Sequence, residues 1–109
     1  GQVHGGVAQG IGNAFYEQLH YDDNGQLLNA SFMDYLLPTA NDVPHIDVGH
    51  EETPSPLNPM GVKGVGEAGA IPVGALFAQA IEDALTDYKV EILEIPLSPN
   101  RLFELMEKQ

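Results

Sequence analysis

Apolar residues at Val7, Ile11, Ala14, Phe15 and Leu19 recur at spacings of three and four. This pattern predicts an amphipathic helix close to the start of the chain. Gly10 and Gly12 interrupt the stripe, each at a cost of up to about 1 kcal/mol relative to Ala, which implies a tight approach of another element to the helix backbone. A second run, Val73, Leu76, Phe77, Ala80, Ile81, Ala84 and Leu85, follows Pro72, a favoured first-turn residue. A third begins at Ser98-Pro99, an N-cap and its proline, and carries Leu102, Phe103, Leu105 and Met106.

Between these runs the pattern changes. Residues 26–37 read as extended, closed by Pro38, and Ile46 and Val48 alternate with Asp47 and Gly49 as a short, half-exposed strand. Val90 to Ile95 reads as a strand whose apolar phase slips between Ile92 and Leu93, so a bulge or burial on both faces is expected. Asp22-Asp23-Asn24-Gly25 predicts a type I′ hairpin turn; without a Glu at the twelfth position its acids do not complete a calcium loop. Asn41 to Pro44 makes a second turn, and Pro54, Pro56 and Pro59 mark a loop or covering strap. The predicted fold class is α+β, about three helices packed with three or four short strands, in a single unit spanning residues 1–109.

Charge narrows the partners. Sixteen Asp and Glu stand against four Lys and Arg, a formal net charge of −12 over 109 residues. Nucleic acid and anionic membrane surfaces both require a basic face that these cations cannot build. The chain has no Cys, which excludes disulfides, thiolate metal sites and thiol nucleophiles. No apolar run approaches the roughly 18 residues of a membrane span. The chain opens at Gly1 with no signal-peptide pattern and passes almost directly into the first helix. We therefore expect a piece of a longer polypeptide, in which part of the acidic surface faces something else.

The most specific local feature is Lys63-Gly64-Val65-Gly66-Glu67-Ala68-Gly69. Residues 64–69 satisfy the G-x-G-x-x-G dinucleotide fingerprint, but no strand is expected before them and Pro72 blocks a helix opening inside them. A small nucleotide-binding domain is thus the weaker reading. Glycines at 64, 66 and 69 leave backbone N–H groups uncovered, a nest for an anion, and Lys63 adds a cation. Glu67 stands among them without a bulky neighbour. A carboxylate held beside a bound anion resists ionisation, which suits a general base; the alternative is a solvated Glu in a flexible loop. His4, His20, His45 and His50 share no metal-ligand spacing, and no Ser lies in a G-x-S-x-G elbow.

Two stretches, Gly1-Gln2-Val3-His4-Gly5-Gly6-Val7-Ala8-Gln9-Gly10-Ile11-Gly12 and Gly61-Val62-Lys63-Gly64-Val65-Gly66-Glu67-Ala68-Gly69, resemble the C-terminal part of the molybdopterin-binding large subunit of the molybdenum hydroxylases. This is the family of xanthine dehydrogenase, aldehyde oxidase and aerobic carbon monoxide dehydrogenase. The turn, the Asp34-Tyr35 pair, the prolines and Ile95-Pro96-Leu97-Ser98-Pro99 are also similar, so the resemblance covers nearly the whole chain.

The resemblance implies roles residue by residue. Gln2 corresponds to the glutamine that hydrogen-bonds the molybdopterin, and Lys63, Gly64, Val65 and Gly66 to the loop whose amides hold the pterin and phosphate region. Glu67 corresponds to the general base, which takes a proton as water-derived oxygen is transferred to an electron-poor carbon. The molybdenum, held by its pterin (including dinucleotide forms), needs no side-chain ligand from this segment. Electrons are expected to leave through 2Fe-2S clusters and FAD on other domains or subunits. The implied partners are the rest of the large subunit, iron–sulfur and flavin subunits and a small-molecule substrate, in a cytoplasmic enzyme. His4, where vertebrate members tend to carry Glu, points to the bacterial branch. The isolated segment is expected to be inactive. The competing expectation is a free-standing acidic interaction module in which the glycine loop is structural and Glu67 idle.

Overall fold

The computed structural model describes residues 1–108. Regular structure is carried by α1 (Gln2–Phe15), α2 (Val73–Ala84) and α3 (Pro99–Glu107), with a short 3-10 turn at Thr86–Tyr88. The helices form where the apolar periodicity predicts them. α1 packs on α2, and the glycines of its stripe explain how closely. A Cβ on Gly10 would stand 2.5 Å from Cβ of Val73, the first residue of α2, so only glycine leaves room for that valine. Nearer the start of α1, Gly6 backs onto Gly69. At the other end Phe15 meets Phe77 edge-on, with ring centroids 4.8 Å apart.

Ile11, Ala14 and Val73 of the two helices are buried, and so are Val90 and Leu97 in the segment after α2. Each fully buried Val, Leu or Ile stabilises by about 1.5–3 kcal/mol. Leu97 is fixed there through its amide, which donates to the carbonyl of Ala14 at the end of α1, 2.6 Å away. α3 begins as expected: Pro99 is its first residue, and Ser98 Oγ accepts the amide of Arg101 at 3.2 Å.

The expected strands are absent. Among the described residues there is no β-ladder, only an isolated antiparallel bridge between Tyr21 and Leu27. The fold is therefore helical with long irregular segments, not α+β. A strand requires a neighbouring backbone, and here the amides are spent elsewhere. In 90–95, Ile92 N donates to the Glu82 carboxylate at 2.6 Å, and just beyond this run Leu97 N is held by the end of α1. The phase slip at 92–93 reflects neither a bulge nor two-sided burial: Leu93 is 85 % exposed. Residues 31–35 coil into turns, the amides of Asp34 and Tyr35 both donating to Ser31 O. Residues 46–48 run without a partner strand, touched instead by His4, whose Nε2 lies 2.9 Å from the carbonyl of Ile46.

Two boundaries also differ. α1 ends at Phe15 and leaves Leu19 half exposed. The reason is Asn29, buried, whose side chain accepts the amide of His20 and donates to the carbonyl of Gln18, fixing the chain out of the helix. At the turn, Gly25 alone has a positive φ, +80°. Asp22 Oδ1 accepts the amides of Asn24 and Gln26, so the asparagine never enters the left-handed region that type I′ requires.

The shape is not that of a self-contained body. The radius of gyration is 17.5 Å, against about 13 Å for a compact domain of this length. The accessible surface is 8516 Å², where a monomer of this mass has about 5900 Å². Phe32, Met33 and Leu57 are each more than 85 % exposed. An apolar surface of that kind is built to be covered.

Candidate functional site

The glycine loop leaves a run of donors unspent. Among the described residues, the amides of 63, 64, 65, 66 and 67 donate to no acceptor within the chain. The run is bracketed by order: Val62 N is held by Asn58, while Ala68 N turns back to Val65 O and Ala70 N to Glu67 O. A Cβ at Gly64 or Gly66 would meet nothing within 4 Å. These two glycines line a cavity of about 580 Å³ together with Val65, Glu67, Ala68 and Ile71. Consecutive free N–H groups on a glycine-spaced bend fit an anionic or carbonyl-rich ligand, whose oxygens complete bonds the backbone cannot make for itself.

Glu67 is exposed, and although its carbonyl accepts the amides of Ala70 and Ile71, its carboxylate has no hydrogen-bond or ion-pair partner among the described residues. It lines this cavity and also a groove of about 640 Å³ on its other side. α1 lends the groove Gln9 and Asn13; the start of α2 and residues 92–95 complete it. Ile95 Cδ1 reaches over Gly74, where a Cβ would stand 3.2 Å from it. Glu67 and Ile71 thus form the wall shared by a cavity lined by the glycine loop and a groove of mixed polar and apolar lining. The carboxylate faces open space, not a finished core.

Gln2 is the first residue of α1 and is exposed. Its neighbour Val3 presents its carbonyl to Gly69, so the first turn of α1 and the end of the glycine loop are in backbone contact. Lys63 is arranged differently: its Nζ donates to Thr53 Oγ1 at 2.7 Å, in a cleft also lined by Glu51 and Glu52. The bare amides, not this ammonium, are what the loop offers. No strand precedes the loop and α2 opens only at Val73, so the dinucleotide-fold arrangement is absent.

Sequence reading did not single out Gln9, Asn13 or Asn58. The first two follow Gln2 at i+7 and i+11 on one helix face, a polar stripe that is visible once the apolar stripe is subtracted. Asn58 gives no periodic signal.

Ionisable groups cluster at the far end of α1. Tyr35 donates to Glu17 at 3.0 Å, and partial burial, then this carboxylate, push its phenol above the ordinary range. Tyr16 is raised in the same way, by partial burial and then by Asp42. Asp42 itself is lowered, first by the amide of Thr39 at 2.7 Å and then by the Thr39 hydroxyl. These contacts brace the chain around α1 rather than serve the loop.

Residues 1–44 match the family described as molybdopterin cofactor-binding domain. The chain is 46 % identical over 104 residues to the 6-hydroxypseudooxynicotine dehydrogenase complex subunit gamma of Paenarthrobacter nicotinovorans, covering 94 % of this chain and 13 % of that protein. It is 39 % identical over 111 residues to the carbon monoxide dehydrogenase large chain of Hydrogenophaga pseudoflava, covering 99 % of this chain and 13 % of the relative. Among solved structures, quinoline 2-oxidoreductase from Pseudomonas putida 86 superposes with a TM-score of 0.92 at 45 % identity, over 99 % of this chain and 14 % of that one. The chain therefore spans only about an eighth of the length of these relatives.

Proposed function

The chain belongs to the molybdenum hydroxylase family, as a segment of its molybdopterin-binding large subunit, and from that premise we propose that residues 63–67 hold the pterin cofactor while Glu67 is the general base of an oxidative hydroxylation. The observation that carries this reading is the run of five unspent amides ending at a carboxylate that is exposed on a cavity wall.

The backbone amides of Lys63, Gly64, Val65 and Gly66 bind the anionic and carbonyl oxygens of the pterin and its phosphate. Gln2, exposed at the start of α1, offers its carboxamide to the same ligand. When bound, the cofactor supplies a metal that accepts two electrons from the substrate carbon. Glu67 Oε takes the proton that must leave water-derived oxygen before that oxygen can attack, a role worth roughly 10²–10⁴ in rate. Holding the carboxylate on the same bend as the amides ties the position of the base to that of the ligand.

The substrate class is an electron-poor carbon: an aldehyde, an N-heterocycle or carbon monoxide. The quinoline enzyme is 45 % identical and the carbon monoxide dehydrogenase chain 39 %, which favours N-heteroaromatic substrates as the first class to test. Electrons pass onward to 2Fe-2S and FAD groups carried outside this segment, which has no Cys to ligate a cluster. The extended, apolar surface supports this part of the reading, because it needs the rest of the subunit to cover it. The test is to purify the complete enzyme with its partner subunits, measure molybdenum and pterin, and screen aldehydes, N-heterocycles and carbon monoxide. Stoichiometric molybdenum with turnover of one class is expected; a metal-free, inactive protein that assembles normally contradicts the proposal.

A further inference from the structure

The segment before the glycine loop reads as a loose strap, yet it is knotted around one side chain. Asn58 Nδ2 donates to the carbonyl of Val62 at 2.9 Å, and Asn58 Oδ1 accepts the amide of the same residue at 3.0 Å. One carboxamide therefore satisfies both backbone groups of Val62, as a neighbouring strand would. The backbone of Asn58 is used as well, its carbonyl accepting the amide of Gly61 at 3.1 Å.

Gly61 closes the knot. Its φ is +66°, a conformation that favours glycine, and a Cβ there would stand 2.8 Å from Cβ of Pro54. Its carbonyl accepts the amide of Ser55 at 3.0 Å. Immediately afterwards amide donation within the chain stops and the five free amides of 63–67 begin, with the Lys63 side chain tied back to Thr53 Oγ1 and the carbonyls of Val65 and Glu67 accepting bonds from residues further on. The last fixed peptide before that run is the one Asn58 grips, so its orientation sets the direction in which the amides and Glu67 leave the knot.

We propose that Asn58 is a positioning residue for the site, its carboxamide acting through Val62 to aim the amide run and Glu67. This rests on the proposed function above. It explains why a half-buried asparagine spends two bonds on a single exposed residue, with a proline directly after it and a left-handed glycine three residues on.

The test uses the full-length enzyme with Asn58→Asp and Asn58→Ser. The aspartate keeps the acceptor for Val62 N but sets a carboxylate oxygen against Val62 O; the serine is too short to bridge both groups. The expected result is a fall of at least tenfold in kcat per bound molybdenum, with KM changed less than threefold. A purely structural asparagine would instead lower melting temperature or metal content and leave kcat per molybdenum within twofold of the parent, which would overturn the inference. Should neither variant fold, amide hydrogen exchange of the parent decides: protection of Val62 N–H well above that of exposed loop amides supports the clamp, and equal exchange overturns it. Glu67→Gln is the control that separates the two levels. If it is inactive while both Asn58 variants run at the parent rate, only this inference fails; if it is fully active, the proposed function fails first.

Discussion

A Cβ placed on Gly69 would stand 2.5 Å from the carbonyl oxygen of Val3 and 3.1 Å from the amide nitrogen of Val7. Both atoms are backbone in α1, so neither can move aside as a flexible side chain would. The glycine loop is thereby seated directly on the helix that begins with Gln2, and the two stretches proposed to meet one cofactor are held in register by contact between main chains.

Gly69→Ala is accordingly expected to destabilise the full-length protein by about 1–3 kcal/mol, the usual cost of overpacking. Because the loop must lift from α1, turnover per bound molybdenum should fall as well. Denaturant melts with activity assays check both; an alanine variant of parental stability would show that the contact relaxes freely.

Gly64 makes the opposite case. It has open space where a Cβ would go and lines the amide cavity. Gly64→Val should leave the melting temperature nearly unchanged yet lower the pterin and molybdenum content several-fold, since the new side chain projects into space the ligand needs. Measuring pterin and molybdenum against the parent checks this; full cofactor content with an unchanged melt would mean the cavity is not the binding surface.

The braces at the end of α1 predict a dependence on pH. Asp42 is lowered from 3.8 in the folded state, so its contribution is complete above that value and is lost as pH falls through the lower folded one. Tyr35 is raised from 10.0, so its contribution is complete below that value and is lost as pH rises through the higher folded one. Asp42→Asn should flatten the acid limb of stability and Tyr35→Phe the alkaline limb, each read as a difference from the parent in thermal melts across pH. Parallel curves would remove these pairs from the account.

What was legible in the sequence, and what was not, follows from where the bonding partners lie. The helices are local: Val7, Ile11 and Ala14, or Val73 and Phe77, declare their stripe within a few turns, and Ser98-Pro99 announces its own start. Gly10 was legible as a close contact, though not its partner Val73, which lies 63 residues away. The strands failed because a strand is defined by a neighbour. Ile92 sits in the strand-like run Val90 to Ile95, but its amide goes to Glu82, an outcome no local pattern encodes. Leu19 belongs to the apolar stripe and still falls outside α1, because Asn29 captures the backbone at Gln18 and His20. At the site, the glycines and Glu67 stood out by type and spacing. Asn58 did not, since an asparagine between prolines looks like any turn residue until its two bonds to Val62 are visible.

The carboxylate of Glu67, at the boundary between cavity and groove, is the centre of the proposed chemistry. The direct measurement is single-turnover reduction of the complete enzyme by substrate, parent against Glu67→Gln, normalised to bound molybdenum. A rate lower by 10²–10⁴ is expected if Glu67 is the proton acceptor, with pterin and metal content equal to the parent because the amides proposed to hold them are untouched. A variant that reduces at nearly the parental rate with full metal content would contradict it.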